Sequence, residues 1–419
     1  MSPTAGGRVF YGWYVTAVAL LANFMSIGTS FYIFNAFMEP LCQARNWTRT
    51  DISLALMAGF IAAYLTQPVF GTLVMRLGPR ILMTLGALAA GFSFFLLGRV
   101  ETLWQFYLVF VLLNVANSSY GGVVANTAVN NWFVRRRGRA MGLAAVGISL
   151  SGAIMPFLAM LMILRMSMAA AFLWIGVLMA VLGPLAWLVV RDWPEGMGLS
   201  PDGDAAGAAG NETHGEAMSD PVPGSPWTLG RLMKTGAFWK TGLFFGLCLA
   251  GPTGVMSQLK PRFADVGFDD VTAMALMSVT ALMGAVGKYA WGAFCDWFEP
   301  RRVVMVMAGV NALGLSFALF GGSPAALVLF ILVFGFAMGG IMATCPVLVA
   351  DLFGRESFAS VFRYLPIFML IELAGLPIAG MSFDLLGSYD TAYAAFIVFN
   401  LAAAGLMATV RRPGPAADA

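Results

Sequence analysis

The chain consists of long apolar runs separated by short polar segments. A run of about 20 apolar residues is long enough to cross a bilayer as a helix. Twelve candidate spans lie at 12–38, 52–74, 81–98, 103–128, 140–163, 168–190, 237–259, 271–295, 303–320, 325–350, 361–383 and 390–410. The pattern predicts an all-α membrane protein with twelve transmembrane helices that interacts with the lipid bilayer along its whole length.

One polar segment divides the spans into six and six. The stretch from 191 to 230 is rich in Gly, Ala, Pro and acidic residues, a composition typical of a flexible linker. We expect an N-terminal six-helix bundle over 1–191, a cytoplasmic linker over 192–230 and a C-terminal six-helix bundle over 231–419. At the end of the linker, "WTLGRLMKTGAFW" (227–239) is compatible with a short interfacial helix.

Basic residues give the orientation. If the N-terminus is cytoplasmic, most of the 24 Lys and Arg residues fall in cytoplasmic segments. Cytoplasmic loops of membrane proteins carry this excess of positive charge. The sequence therefore predicts a multi-pass protein with both termini and the linker in the cytoplasm.

Composition excludes several other classes of protein. Hydrophobic residues make up 59% and charged residues 11% of the chain, and the net charge of +3 is too small to indicate a nucleic-acid partner. The cysteines have no metal-binding or CxxC spacing, and the lone His214 lies in the polar linker. We expect no catalytic residues, no metal, no cofactor and no enzyme activity; the oligomeric state is left open.

The two halves repeat each other. The segment "GTLVMRLGPR" (71–80) matches "GAFCDWFEPR" (292–301) at an offset of 221 residues. The segment "YGGVVA" (120–125) matches "MGGIMA" (338–343) at an offset of 218 residues. The second half is therefore interpreted as a parallel copy of the first, an organisation found in transporters built from internal repeats.

The loop after the second span resembles the signature loop of the major facilitator superfamily, G-x3-D-[RK]-x-G-x-[RK]. Its matching residues are Gly71, Arg76, Gly78 and Arg80, and Met75 replaces the acid. The second copy retains Gly292 and Asp296 but lacks the following basic residue and glycine. The resemblance covers essentially the whole chain and implies the major facilitator fold, two pseudo-symmetric six-helix bundles.

Three further segments resemble bacterial homologues of the monocarboxylate transporter family. They are "YGWYV" (11–15), "NWFVRRRGRAMGLAAVGISLSG" (131–152) and "KYAWG" (288–292). The last stands where that family has R-P-A-x-G, whose basic residue binds the substrate carboxylate. This resemblance implies that role for Lys288, and Tyr120 resembles a substrate-contacting tyrosine of the bacterial members.

Two charged residues are predicted to lie deep in the bilayer. At a rise of 1.5 Å per residue, Lys288 lies about 10–14 Å and Glu372 about 17–20 Å from the cytoplasmic ends of their spans. A lysine at the centre of a span costs about 2.5–3.5 kcal/mol. Either Lys288 binds a substrate carboxylate while Glu372 exchanges a proton, or the two form a buried pair that fixes two helices.

Neutral polar residues of the first half are candidates for the rest of the site. Asn117 and Tyr120 share one side of the fourth span at i, i+3 spacing, and Tyr32 and Asn35 lie in the first span. We expect these four to bind substrate; the alternative is hydrogen bonding between helices.

Proton coupling and gating also have candidate residues. Asn35 and Gly284 stand where proton-coupled animal members have a lysine and an aspartate, so Glu372 replaces the usual pair or the protein exchanges anions without protons. We further expect Asp296 to pair with Arg139 when the cytoplasmic gate closes. The alternative is that the basic run containing Arg139 only sets topology.

The leading hypothesis is a secondary active transporter in the cell inner membrane of a bacterium. It moves a small monocarboxylate, resembling lactate or pyruvate, by alternating access in symport with a proton. The alternatives are an anion exchanger of the oxalate/formate type, with a counter-anion as partner, and an exporter of a larger amphipathic compound. The sequence names neither the anion nor the direction.

Overall fold

The computed structural model describes residues 9–203, 227–320 and 323–413, and every regular element in these ranges is helical. Ten helices of the described chain are long and apolar enough to cross a membrane. One of them, Arg49–Leu97, holds two spans because its backbone breaks at Gly78, where φ is 78° and ψ is 158°. The helix Asp270–Trp297 completes the set of twelve. The prediction of an all-α protein with twelve spanning helices is confirmed.

The twelve spans are numbered in chain order. They are α1 (Gly12–Ile27, a π-helical turn Gly28–Tyr32, and Phe34–Arg45), α2 (49–77), α3 (79–97), α4 (Leu103–Ser118 and Gly122–Trp132), α5 (Arg137–Arg165), α6 (Met168–Val189), α7 (Gly236–Asp265), α8 (Asp270–Trp297), α9 (Pro300–Ala318), α10 (Pro324–Phe353), α11 (Phe358–Phe362, a 3₁₀ stretch Leu365–Ala374, and Gly375–Leu386) and α12 (Asp390–Ala408).

Equivalent helices pair in the two halves. In the first half α2 packs on α4, α3 on α6 and α1 on α5. In the second half α8 packs on α10, α9 on α12 and α7 on α11. The same three pairings recur after a shift of six helices, as expected for the two pseudo-symmetric bundles.

The spans α1, α4 and α11 are irregular near the middle of the bundle, and the sequence did not predict these breaks. In α4 the helix stops after Ser118 and restarts at Gly122, because Gly121 is extended and Gly122 has a φ of 50°. A φ of this sign is readily adopted by glycine and strained for other residues. In α11 a 3₁₀ stretch begins at Leu365, one residue before Pro366.

One end of the bundle carries the start of α1 and the ends of α6 and α12, and we call it the terminal face. After α6 the chain forms two 3₁₀ turns, Glu195–Met197 and Pro201–Gly203. A short helix, Leu229–Lys234, precedes α7, at the place where the sequence indicated one. Residues 204–226, which include His214, lie outside the described part of the chain. The domain boundaries remain a prediction.

Candidate functional site

Lys288 lies at the interface between the two halves. Its side chain is only 8% exposed, and its Nζ atom donates a hydrogen bond of 2.8 Å to Oγ of Ser149 in α5. Nine residues separate Lys288 from the end of α8 at Trp297, so it lies about 13 Å above the terminal face. The depth of Lys288 in a bilayer stays a prediction, and its neutral partner Ser149 was not foreseen.

Glycines allow α5 and α8 to approach closely around Lys288. The backbone of Gly138 touches that of Gly292, and Gly142 lies against Tyr289, with no room for a Cβ atom at any of the three glycines. Small residues at such contacts let membrane helices come close. This close crossing brings the lysine within reach of Ser149.

Tyr32, in the π-helical turn of α1, packs against the same stretch of α5. Its ring packs on Gly152, which is three residues, or about one helical turn, beyond Ser149. α5 thus connects Tyr32 with the Lys288 hydrogen bond. Asn35 lies in α1, and its side chain is outside the part of the structure that is described.

Glu372 also binds a residue of the other half. Its Oε1 atom accepts a hydrogen bond of 2.7 Å from Oη of Tyr64 in α2. In the described residues no ion pair joins Glu372 to Lys288, since each is bound to a hydroxyl group of the first half. The two charges are therefore separate groups in this conformation. Tyr64 was missed, although it stands as a polar residue in an apolar run.

Tyr120 and Asn117 form a buried network between α4 and α1. The Tyr120 hydroxyl donates to Oδ1 of Asn117 over 2.7 Å. Nδ2 of Asn117 donates to Oγ of Ser30, also over 2.7 Å, and to the carbonyl of Ser26 over 3.3 Å. The helix ends at Ser118, so the two residues do not share a continuous helical face. The bond from Asn117 to Ser30 joins the break in α4 to the π-helical turn of α1, and the contact of Tyr120 and Asn117 with substrate stays a prediction.

Asp296 binds the N-terminus of α5 at the terminal face. Its carboxylate accepts hydrogen bonds from the backbone N–H groups of Gly138 (2.6 Å) and Arg139 (3.0 Å). Nε of Arg139 lies 3.6 Å from the same carboxylate, and its guanidinium lies over the Trp297 ring. The contact expected of a closed gate is present; the gating role itself stays a prediction.

Two arginines of the second half add contacts at the same face. Arg363 packs on Gly71 and donates to Thr72 in α2. Arg355 lies 3.1 Å from Glu195, and its carbonyl accepts from the side chain of Asn130 over 3.0 Å. These contacts join α2, α4 and the segment after α6 to the second half. The terminal face is closed.

Asp192 places a carboxylate beside the α2–α3 loop. This is the signature loop in which Met75 stands where the superfamily pattern has an aspartate. The Asp192 carboxylate packs against Gly78 and accepts a hydrogen bond of 2.9 Å from the N–H of Arg80. Burial raises the pKa of this carboxyl, and the Arg80 N–H and the charges of Arg80 and Arg191 offset part of the effect. An acid distant in sequence thus occupies the α2–α3 connection.

Comparison with known proteins shows which family the chain is related to. The sequence profile of the Major Facilitator Superfamily matches residues 19–362 and 254–418. Monocarboxylate transporter 13 of Rattus norvegicus is 24% identical over 97% of this chain and 90% of its own length. The oxalate:formate antiporter of Oxalobacter formigenes is 25% identical over 82% of this chain and 78% of its own length. The crystal structure of FucP, a Major Facilitator Superfamily transporter in the outward conformation, shares the fold with a TM-score of 0.72 at 13% identity, covering 94% of this chain and 98% of FucP.

Proposed function

The chain belongs to the Major Facilitator Superfamily and is a membrane transporter, and we propose that it carries a small monocarboxylate together with a proton. The observation that carries this proposal is the isolated position of Lys288. It is buried about 13 Å above the terminal face, and its recorded partner is the neutral hydroxyl of Ser149. A buried cation in this position is stabilised when an anion comes to lie beside it. A carboxylate matches its charge.

Glu372 is proposed as the proton carrier. It lies across the interface from Tyr64 and is not neutralised by Lys288 in this conformation. A buried acid exchanges its proton as its surroundings become alternately open to the two sides of the membrane. Entry of one anion with one proton moves no net charge, so the membrane potential does not oppose uptake.

The neutral residues divide into two groups in this proposal. Tyr32 and Asn35 of α1 are substrate-binding candidates, and the Tyr32 ring packs on the part of α5 that carries Ser149, the partner of Lys288. Asn117 bonds to α1 and Tyr120 bonds to Asn117, and both contact substrate when that network rearranges.

Alternating access follows from the closed terminal face. The positive charges of its loops favour a cytoplasmic location for this face, in the inner membrane of a bacterium. The conformation is then closed to the cytoplasm, and Asp296 with Arg139 is the proposed gate contact. Separation of these two residues accompanies opening of the cytoplasmic side.

Anion exchange is the second candidate function. The similarity to a protein named oxalate:formate antiporter favours it. An exchanger uses a counter-anion in place of the proton, and Glu372 then has a structural role. Export of a larger amphipathic compound is less well supported. That hypothesis interprets Lys288 and Glu372 as a structural pair, but Lys288 bonds to Ser149 and Glu372 to Tyr64.

The test is uptake of labelled lactate, pyruvate and oxalate into proteoliposomes with an inward proton gradient. We expect gradient-dependent uptake of a monocarboxylate by wild type and by Lys234→Gln, which removes an exposed positive charge. Lys288→Gln should lose this uptake. Uptake that requires internal anion and ignores the gradient supports the exchanger. Transport of no carboxylate, or full activity of Lys288→Gln, contradicts the proposal.

A further inference from the structure

The break in α4 places a helix N-terminus inside the membrane. The second part of α4 starts at Gly122, ten residues before its end at Trp132, which is about 15 Å above the terminal face. This is nearly the depth of Lys288. N-termini of broken helices in transporters carry a partial positive charge and point at polar groups of the substrate.

This N-terminus has no cap among the described residues. Gly121 offers no side chain, so no side-chain cap is present, and the first N–H groups of a helix have no acceptor within that helix. Gly122 is exposed, whereas residues 116–121 and 123–125 around it are buried. The break is therefore exposed at Gly122, next to the first N–H groups of the second part of α4.

A second, independent observation is the side chain of Gln67 in α2. It is 8% exposed, its Oε1 atom is buried without a partner, and no hydrogen bond is recorded for its amide within the described chain. The amide lies beside the break, since a Cβ atom on Gly122 would be 3.3 Å from Nε2 of Gln67. Leaving the buried Oε1 acceptor unpaired costs about 1–3 kcal/mol, so a ligand hydroxyl that donates to it is favoured. The adjacent Nε2 can donate to a ligand oxygen.

The internal repeat relates Gln67 to Lys288. The offset of 221 residues between the two copies of the loop after α2 and α8 carries Lys288 onto Gln67. Gln67 and Lys288 thus occupy equivalent positions on equivalent helices of the two halves. Tyr64, which binds Glu372, lies one helical turn from Gln67 on α2.

We propose that the Gln67 amide and the backbone N–H groups of Gly122 and Val123 form a second polar subsite for the transported substrate. This inference rests on the proposed function. Lys288 holds the carboxylate, and the subsite takes a second oxygen function of the same small acid: a hydroxyl, a keto group or another carboxylate. The preferred substrate class is therefore a bifunctional short-chain acid, with simple fatty acids bound more weakly.

The test is equilibrium binding of four acids to the purified full-length protein. Propionate lacks a second oxygen function, whereas lactate, pyruvate and oxalate carry a hydroxyl, a keto group and a carboxylate. Gln67→Met keeps the length of the side chain and removes the amide. Gln258→Met, in α7, is the matched control. The Gln67→Met variant loses an unpaired buried amide. The melting temperature of this variant should therefore equal or exceed that of wild type.

We expect Gln67→Met to weaken binding of the preferred bifunctional acid about 10-fold, the loss of one or two hydrogen bonds, and to leave propionate binding unchanged. The acid whose affinity falls identifies the oxygen function that the subsite takes. Equal weakening of all four acids, or no change in any, overturns the subsite while leaving the carboxylate function intact. Failure of wild type to bind any of them refutes the proposed function and the subsite together.

Discussion

Replacement of Gly292 by alanine tests the closed contact between the halves. Gly292 of α8 lies against Gly138 and Gly142 of α5. A Cβ atom at position 292 would be 3.0 Å from Cα of Gly142 and 3.2 Å from the carbonyl carbon of Gly138, and it would overlap the Gly138 oxygen. All these atoms are backbone, so a rotamer change cannot relieve the clash.

The size of the expected shift in conformation follows from the position of the clash. Overpacking by one methyl group costs about 1–3 kcal/mol. The atoms that meet belong to opposite halves, so the strain disappears when the terminal face opens and it acts on the conformational equilibrium. At about 1.4 kcal/mol per factor of ten, the population with an open terminal face increases about 5- to 140-fold.

The assay is double electron–electron resonance between spin labels at positions 76 and 302, which are exposed at the terminal ends of α2 and α9. Gly292→Ala should shift the distribution to longer distances. Gly309→Ala is the matched control, because a Cβ atom there meets nothing within 4 Å. Gly91→Ala crowds Gly176 within one half and should lower the melting temperature without changing the distances. An unchanged distribution in folded Gly292→Ala would refute the reasoning.

Two further substitutions test the polar contacts between the halves. Tyr64→Phe removes the hydroxyl that donates to Glu372. Proton-driven lactate uptake should therefore fall about 10-fold, while lactate counterflow persists. Unchanged proton-driven uptake would argue against a coupling role for Glu372. Asp296→Asn weakens the carboxylate contacts with Gly138 and Arg139, so the spin labels at positions 76 and 302 should move apart. The control is Asp384→Asn, which changes an exposed acid in α11 and should leave the distances unchanged. Identical distances in both variants would leave Asp296 without a gating role.

The sequence predicts the number of helices and the repetition of the two halves well, because these depend on apolar length and on recurring segments. Each span needs about 20 apolar residues, and the repeated loops at 71–80 and 292–301 locate equivalent helices in the two halves. The family relationship is confirmed for the same reason, since its motifs are local in sequence.

The contacts of the site depend on helix rotation and on irregular backbone, which the sequence encodes weakly. The partners of Lys288 and Glu372 are hydroxyl groups 139 and 308 residues away. The break at Gly122 requires a positive φ, but glycine pairs in membrane helices also occur simply for packing. The unpaired amide of Gln67 is visible only once α2 and α4 are placed together.

Binding of lactate to the purified protein, measured at equilibrium without a proton gradient, tests the role of Lys288 most directly. The account predicts that wild type and Lys234→Gln bind lactate alike and that Lys288→Gln binds at least 10-fold more weakly, since about 1.5–3 kcal/mol is typical of a hydrogen bond to a charged group. Equal affinity of Lys288→Gln and wild type would contradict the assignment of Lys288 as the carboxylate-binding residue.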